Sequence, residues 1–274
     1  MVSGYDFLDP YSNAMSNEAG TYLLLAAAAL AAGACNSVAG GGTLLTFPAL
    51  TAFVTGEVAN ATSTLALLPG SLGGAWGYRK EVGQLKRVIF VLIWPSLAGG
   101  LLGALLVVWF PKQFESLIPW LILTAAVLFL VQPVVSRYLK KRNPESVTPV
   151  GTGSTICVIV FQFFVALYGG YFGAGIGILM LASLGLMAIG DIHKMNGVKT
   201  VLATGINAAS VAVFLTSPGM IHWKYAAVMA VAAIVGGYLG ARTARRLPAN
   251  RVRQAVIVIA FGLAGYYFWR QVRG

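Results

Sequence analysis

The sequence predicts an all-α, polytopic membrane protein of about ten transmembrane or half-membrane helices, built as two inverted five-segment repeats. Composition, the lengths of its apolar runs and a set of duplicated glycine motifs predict this. Hydrophobic residues occupy 58% of the 274 positions and charged residues 10%, against about 25% charged in an average soluble domain. So little charge cannot cover a water-facing shell. The apolar runs recur at lengths near the ~20 residues that cross ~30 Å of hydrocarbon, so the solvent around the chain is a lipid bilayer.

Ten apolar segments are expected, near 20–38, 43–56, 59–78, 88–110, 115–136, 153–171, 176–190, 195–217, 223–243 and 251–270. The second and seventh are short, reaching only about 21–23 Å as helix. Each follows a glycine cluster: Gly40-Gly41-Gly42 before the second, and Gly169-Gly170, Gly173, Gly175 and Gly177 around the start of the seventh. Three glycines in a row favour a break over continuous helix. Whether the segment pairs 20–38/43–56 and 153–171/176–190 span fully or re-enter stays open.

The net charge of +11 is placed in clusters between apolar runs, which argues against nucleic acid as a partner. With the acidic N-terminus outside, fourteen Lys and Arg fall inside and four outside, with Lys199 within a span. That bias fits the positive-inside rule and an inner (plasma) membrane, multi-pass protein with an extracytoplasmic N-terminus. The first twenty residues carry Asp6, Asp9 and Glu18 but no Lys or Arg, which does not fit a secretory signal. The first apolar run is therefore expected to be retained.

Motifs repeat about 135 residues apart. Gly40-Gly41-Gly42 lies against Gly175-Ile176-Gly177, Asn60-Ala-Thr-Ser-Thr64 against Asn196-Gly-Val-Lys-Thr200, and Gly99-Gly100-Leu-Leu-Gly103 against Gly236-Gly237-Tyr-Leu-Gly240. An odd number of segments per half turns the second copy upside down, an arrangement used by transporters with midplane sites at broken helices. The expected division is an extracytoplasmic tail (1–19), a first membrane repeat (20–136), a cytoplasmic basic linker (137–152) and a second membrane repeat (153–274).

No acid falls mid-span, which disfavours a cation substrate, since intramembrane acids mark cation and proton paths. Lys199, with Asn196 and Thr200, is either a snorkelling lysine or an anion contact beside a half-helix N-terminus. The same reasoning selects Asn60, Ser63 and Thr64, and Asn36 and Ser37 before the break at Gly41 and Gly42, with Gly175 in the second half. Asn207, deeper along its helix, lines the site or joins helices. Cys35 either packs or presents its thiol to a sulfur oxyanion, while Cys157 reads as packing alone. The Gly-Gly-x-x-Gly runs and Gly73-Gly74-Ala-Trp-Gly77 are expected to allow close helix crossing. Two cysteines without Cys/His spacing give no metal site, no P-loop appears and no cofactor is called for. His193 and His222 lie in or beside loops on opposite faces, and no Gly-x-Ser-x-Gly occurs, so an enzyme is not expected.

Gly40-Gly41-Gly42-Thr-Leu-Leu-Thr-Phe-Pro48 followed by Ala59-Asn-Ala-Thr-Ser-Thr64 resembles the first half of the TauE/SafE sulfite exporter family (TSUP). Gly173-Ala-Gly-Ile-Gly177, Met195-Asn-Gly-Val-Lys-Thr200 and Val235-Gly-Gly-Tyr-Leu-Gly-Ala241 resemble its second half. The resemblance covers roughly residues 20–270. It implies a secondary transporter that exports a small sulfur-containing anion such as sulfite or an organosulfonate. Ile176 departs from the fuller glycine run usual there, leaving the half-sites chemically unequal. An anion channel and a drug/metabolite-type exporter of another small metabolite are the alternatives. The coupling ion (H+ or Na+) and a homodimeric state stay open.

Overall fold

The computed structural model describes residues 10–38, 41–83, 85–141, 152–186, 192–243 and 249–273. Among them every element is a helix: α1 (Pro10–Val38), α2 (Thr43–Thr51), α3 (Gly56–Gly77), α4 (Arg79–Gly83), α5 (Lys86–Trp109), α6 (Pro111–Lys141), α7 (Thr152–Tyr171), α8 (Ile176–Leu186), α9 (Ile192–Thr216), α10 (Trp223–Thr243) and α11 (Ala249–Arg273). The ten expected segments are α1–α3 and α5–α11. Several edges differ from the expected ones. Helix α1 starts within the expected 1–19 tail, with Pro10 at its first position, where the missing N–H costs nothing. Helix α6 takes in the first five residues of the expected linker. The five-residue α4 was not expected.

The chain is a multi-pass membrane protein. Val258 and Leu23 are 71% and 72% exposed, a surface only lipid tolerates in quantity. Trp94, Trp109, Trp120, Trp223 and Trp269 are all exposed on it. Cys157 is exposed too, so it faces outward and is not packed as expected. Helix α3 is 22 residues long, about 33 Å, yet is not among the helices apolar enough to cross by composition. It carries buried Asn60, Thr62 and Ser63, and is a helix made for an interior.

Helices α2 and α8 have 9 and 11 residues, about 14 and 17 Å, too short to span. A Cβ at Gly42 would stand 2.6 Å from the carbonyl oxygen of Ala32, ten residues back, so α2 doubles back along α1. Gly169 likewise faces the side chain of Ile176, so α8 doubles back along α7. Both pairs are helical hairpins, and their tips meet one helix. Gly41 abuts the ring of Phe129, while Gly175 abuts Leu128 and Ala125. These three residues lie near the middle of the 31-residue α6.

The hairpins approach from opposite ends. Phe47 of α2 meets Phe114 edge-on at 6.5 Å, and Gly56 faces Ile118, both toward the N-terminal end of α6. Met180, Leu181 and Leu184 of α8 share an apolar cluster with Val135, toward its C-terminal end.

Helix pairing exchanges in the same sense. Helix α1 packs along α10 and α7 along α5; α3 meets α10 and α9 meets α5; α3 meets α9, and α6 meets α11. Glycine makes the two closest crossings. Cβ atoms at Gly103 and Gly170 would collide with the carbonyls of Leu167 and Gly100, and those at Gly33 and Gly236 with the carbonyls of Ala233 and Leu30. The Gly-Gly-x-x-Gly runs thus serve as expected. In Gly73-Gly74-Ala-Trp-Gly77, Gly74 meets α9, its Cβ position 3.3 Å from Thr200 Cγ2, while Gly73 and Gly77 lie on the exposed face with nothing within 4 Å. Gly103→Ala and Gly236→Ala should each cost about 1–3 kcal/mol by overpacking. Gly73→Ala should be neutral or stabilising by up to about 1 kcal/mol, since it removes a helix-interior glycine. Thermal unfolding in detergent distinguishes them.

Candidate functional site

The first hairpin is tied at its tip by its own side chains. Asn36 Oδ1 accepts the Gly42 N–H at 2.7 Å, satisfying an amide that a helix start leaves open. Asn36 therefore caps the break, though it remains exposed. Gly41 takes φ +86°, the left-handed region that costs other residues about 1–2 kcal/mol. Further along α2, Thr46 and Ser63 share a buried hydrogen bond of 2.6 Å, which locks α2 onto α3. Thr64 Oγ1 donates to the Asn60 carbonyl at 2.8 Å. Cys35 is 1% exposed within the apolar core, which favours packing over thiol chemistry. Gly40 lies outside the described residues, as does the side chain of Ser37.

The second hairpin turns through Gly173 and Gly175, both at φ +81°. The Tyr168 hydroxyl donates to the Ala174 carbonyl at 2.9 Å and braces the turn. Gly175 O accepts the Ile178 N–H at 3.0 Å, as Gly41 O accepts that of Leu44 at 3.0 Å. Backbone and hydrogen bonds thus pair Gly41 with Gly175, one position off the register read from Gly40-Gly41-Gly42. Glycine runs carry no side chains to fix the alignment.

Lys199 decides the electrostatics. A Cβ on Gly177, the second residue of α8, would lie 3.2 Å from Lys199 Cδ and 3.8 Å from Nζ. The ammonium therefore sits at the α8 N-terminus, where the helix dipole is already positive. It donates to Asn196 Oδ1 at 3.0 Å, and Thr200 Oγ1 donates to the Asn196 carbonyl at 2.8 Å. Neither α8 nor α9 carries an acid. By the motif repeat, Lys199 stands where the first half has Ser63, so the two half-sites differ by a full charge.

The polar helices meet. Thr204 Oγ1 contacts the carbonyls of Ser71 at 3.2 Å and Thr200 at 2.8 Å, joining α9 to α3. Asn60 Nδ2 donates to the carbonyl of Tyr171, at the end of α7, at 3.0 Å. One face of α3 therefore touches both hairpins, through Asn60 and through Ser63. Phe47 and Phe172 add an edge-on contact at 5.1 Å. Asn207 is partly buried and lies eight residues past Lys199, about 12 Å along the helix, beside Ile206, whose side chain meets Gly169 near the second bend. Thr46, Tyr168 and Thr204 were not read from sequence. Thr204 carried a usable signal, one turn beyond Thr200 on the same face.

The sequence profile described as "Sulfite exporter TauE/SafE" matches residues 25–267. The chain is 31% identical over 232 residues to a "Probable membrane transporter protein" of Haemophilus influenzae, covering 82% of this chain and 86% of that one. It is 27% identical to "Probable membrane transporter protein ORF9" of a Sinorhizobium species, covering 86% and 88%. It is 25% identical to "Probable membrane transporter protein YfcA" of Escherichia coli K12, covering 85% and 84%.

Proposed function

Since the chain belongs to the TauE/SafE sulfite exporter family of membrane transporters, we propose that it is a secondary exporter of a small sulfur-containing anion such as sulfite or an organosulfonate. Access alternates around a midplane site between the two hairpin tips. The two repeats, 20–136 and 153–274, form the moving halves, joined by the basic linker 137–152 on the cytoplasmic side. The protein sits in the inner membrane with its N-terminus outside.

One observation carries this reading: the Lys199 ammonium lies against the positive end of α8, with no carboxylate on either helix. A cation there is repelled by the dipole, typically by 0.3–1 kcal/mol or more when partly buried. An anion relieves that repulsion and gains charge-assisted hydrogen bonds. Asn196 and Thr200 orient the lysine. Asn60, Ser63 and Thr64 supply the polar wall from α3, and the bends at Gly41, Gly42 and Gly175 aim both half-helix starts at the same level. Asn36 holds the first bend.

Reconstituted in liposomes, the protein should carry labelled sulfite with a saturable rate. Unlabelled sulfite on the far side should accelerate the flux, as exchange through an alternating site requires. Flux that never saturates and ignores sulfite on the far side would mark an anion channel. Transport of unrelated metabolites without sulfite transport would mark a metabolite exporter.

A further inference from the structure

Apart from the anion site, and without resting on it, we propose a monovalent-cation site where the first turns of α3 meet the C-terminal end of α7. Its oxygens are Glu57 Oε2, Asn60 Oδ1 and the Tyr171 carbonyl. Glu57 stands in the first turn of α3. Its Oε1 accepts the Thr55 hydroxyl at 2.8 Å, while Oε2 is shielded from solvent without a donor. Asn60, one turn on, is 1% exposed. It spends an amide N–H on the Tyr171 carbonyl at 3.0 Å and leaves Oδ1 buried and open. Residues three apart share a helix face, with Cβ atoms about 5–6 Å apart, so one small ion can bridge the two open oxygens. Turning the Asn60 amide over could offer Glu57 a donor only by setting Oδ1 against the Tyr171 carbonyl, so that carbonyl fixes its orientation.

Charge and packing both favour a cation here. Tyr171 is the last residue of α7, where the dipole is negative and terminal carbonyls lack helical partners. Transporters with broken helices hold Na+ at such ends. None of α2, α3 and α7 carries Lys or Arg. Glu115 of α6 adds an exposed carboxylate at the mouth, its Cγ 3.7 Å from a Cβ built on Gly56. Phe114 joins the pieces: it is fully buried, faces Gly56 and meets the Tyr171 ring edge-on at 5.2 Å. A proton joins only two of the three oxygens, whereas a cation gathers them all, with water at the exposed mouth completing its shell. With Glu115 screened by solvent, one carboxylate balances one positive charge, so the ion is monovalent.

This site is separate from Lys199. Helix α3 meets α9 beside Lys199 at Gly74 against Thr200 and at Ser71 against Thr204. Those contacts lie fourteen and eleven residues past Asn60, about 16–21 Å along the helix. Gln162 Oε1 is also buried and open, but it stands beside Ser96 at the α5–α7 crossing, with no acid on either helix.

The test is thermal unfolding of the full-length protein, purified in detergent and titrated with NaCl against choline chloride at constant ionic strength and pH. Na+ should raise the melting temperature saturably, as a ligand of the folded state does, and choline should not. Glu57→Gln, which keeps the shape and removes the charge, should lower apparent Na+ affinity roughly tenfold or more. If that variant does not fold, Glu57→Asp, which keeps the charge and withdraws the oxygen, carries the same expectation. Equal stabilisation by Na+ and choline overturns the proposal, as does a Glu57 variant with native Na+ affinity. Sulfite titrated in each salt keeps the two readings apart. Sulfite stabilisation without a Na+ effect leaves the anion site standing and removes this one; a Na+ effect without sulfite stabilisation does the reverse.

Discussion

Lys199→Met should abolish most anion-induced stabilisation while raising the melting temperature of the ligand-free protein. The two signs come from one geometry. With the ammonium against Gly177, the empty protein holds a cation beside a positive helix end, and methionine keeps the stem while removing that repulsion. Bound anion loses its charge-assisted partner, worth about 1.5–3 kcal/mol, or roughly 10–150-fold in affinity. Lys194→Met, one turn nearer the start of α9, should leave affinity within about twofold. Binding and melting curves on the two variants settle the matter. If both variants bind sulfite as the native protein does, Lys199 merely reaches for the membrane surface.

The second large effect is expected at the first bend. Gly41→Ala pushes a methyl into the ring of Phe129 and forces alanine to φ +86°. The backbone alone costs about 1–2 kcal/mol, and overpacking adds about 1–3 kcal/mol. Gly219 is a built-in control, with φ +78° and nothing within 4 Å, so Gly219→Ala should lose only the backbone share. Gly175→Ala should fall between them, its Cβ standing 3.2 Å from the flexible Leu128 Cδ1. Adding Phe129→Leu to Gly41→Ala should recover part of the loss. Thermal midpoints and sulfite flux of the set provide the measurement. A Gly41→Ala protein as stable as Gly219→Ala would mean that the ring moves aside freely.

The spans were legible because apolar run length is a direct image of bilayer thickness; α10 runs over the expected 223–243. The breaks were legible as glycine runs, but not the residue at which the chain turns. That choice belongs to Phe129, 88 positions away. Lys199 stood out as a charge inside a span, yet its seat on Gly177 depends on how α8 folds back. Asn60 could be flagged as polar, while its bond to Tyr171, 111 residues later, is long-range and invisible to local pattern. Thr46 escaped notice because a lone threonine in an apolar helix ordinarily bonds its own preceding carbonyl, as this one also does to Gly42. The outward glycines Gly73 and Gly77 misled because glycine has the same letter whether it abuts a neighbour or nothing.

The exchanged pairing of α1 with α10 and of α7 with α5 bears on how the molecule is made. The ribosome releases the opening helix some two hundred residues before its principal companion, so α1 must wait in the bilayer with its glycine seam at Gly33 unfilled. Its hairpin tip needs α6 and its flank needs α10, so neither half completes its own packing. Assembly then resembles closing a clasp after both arms are inserted, and truncated products are candidates for removal by membrane quality control.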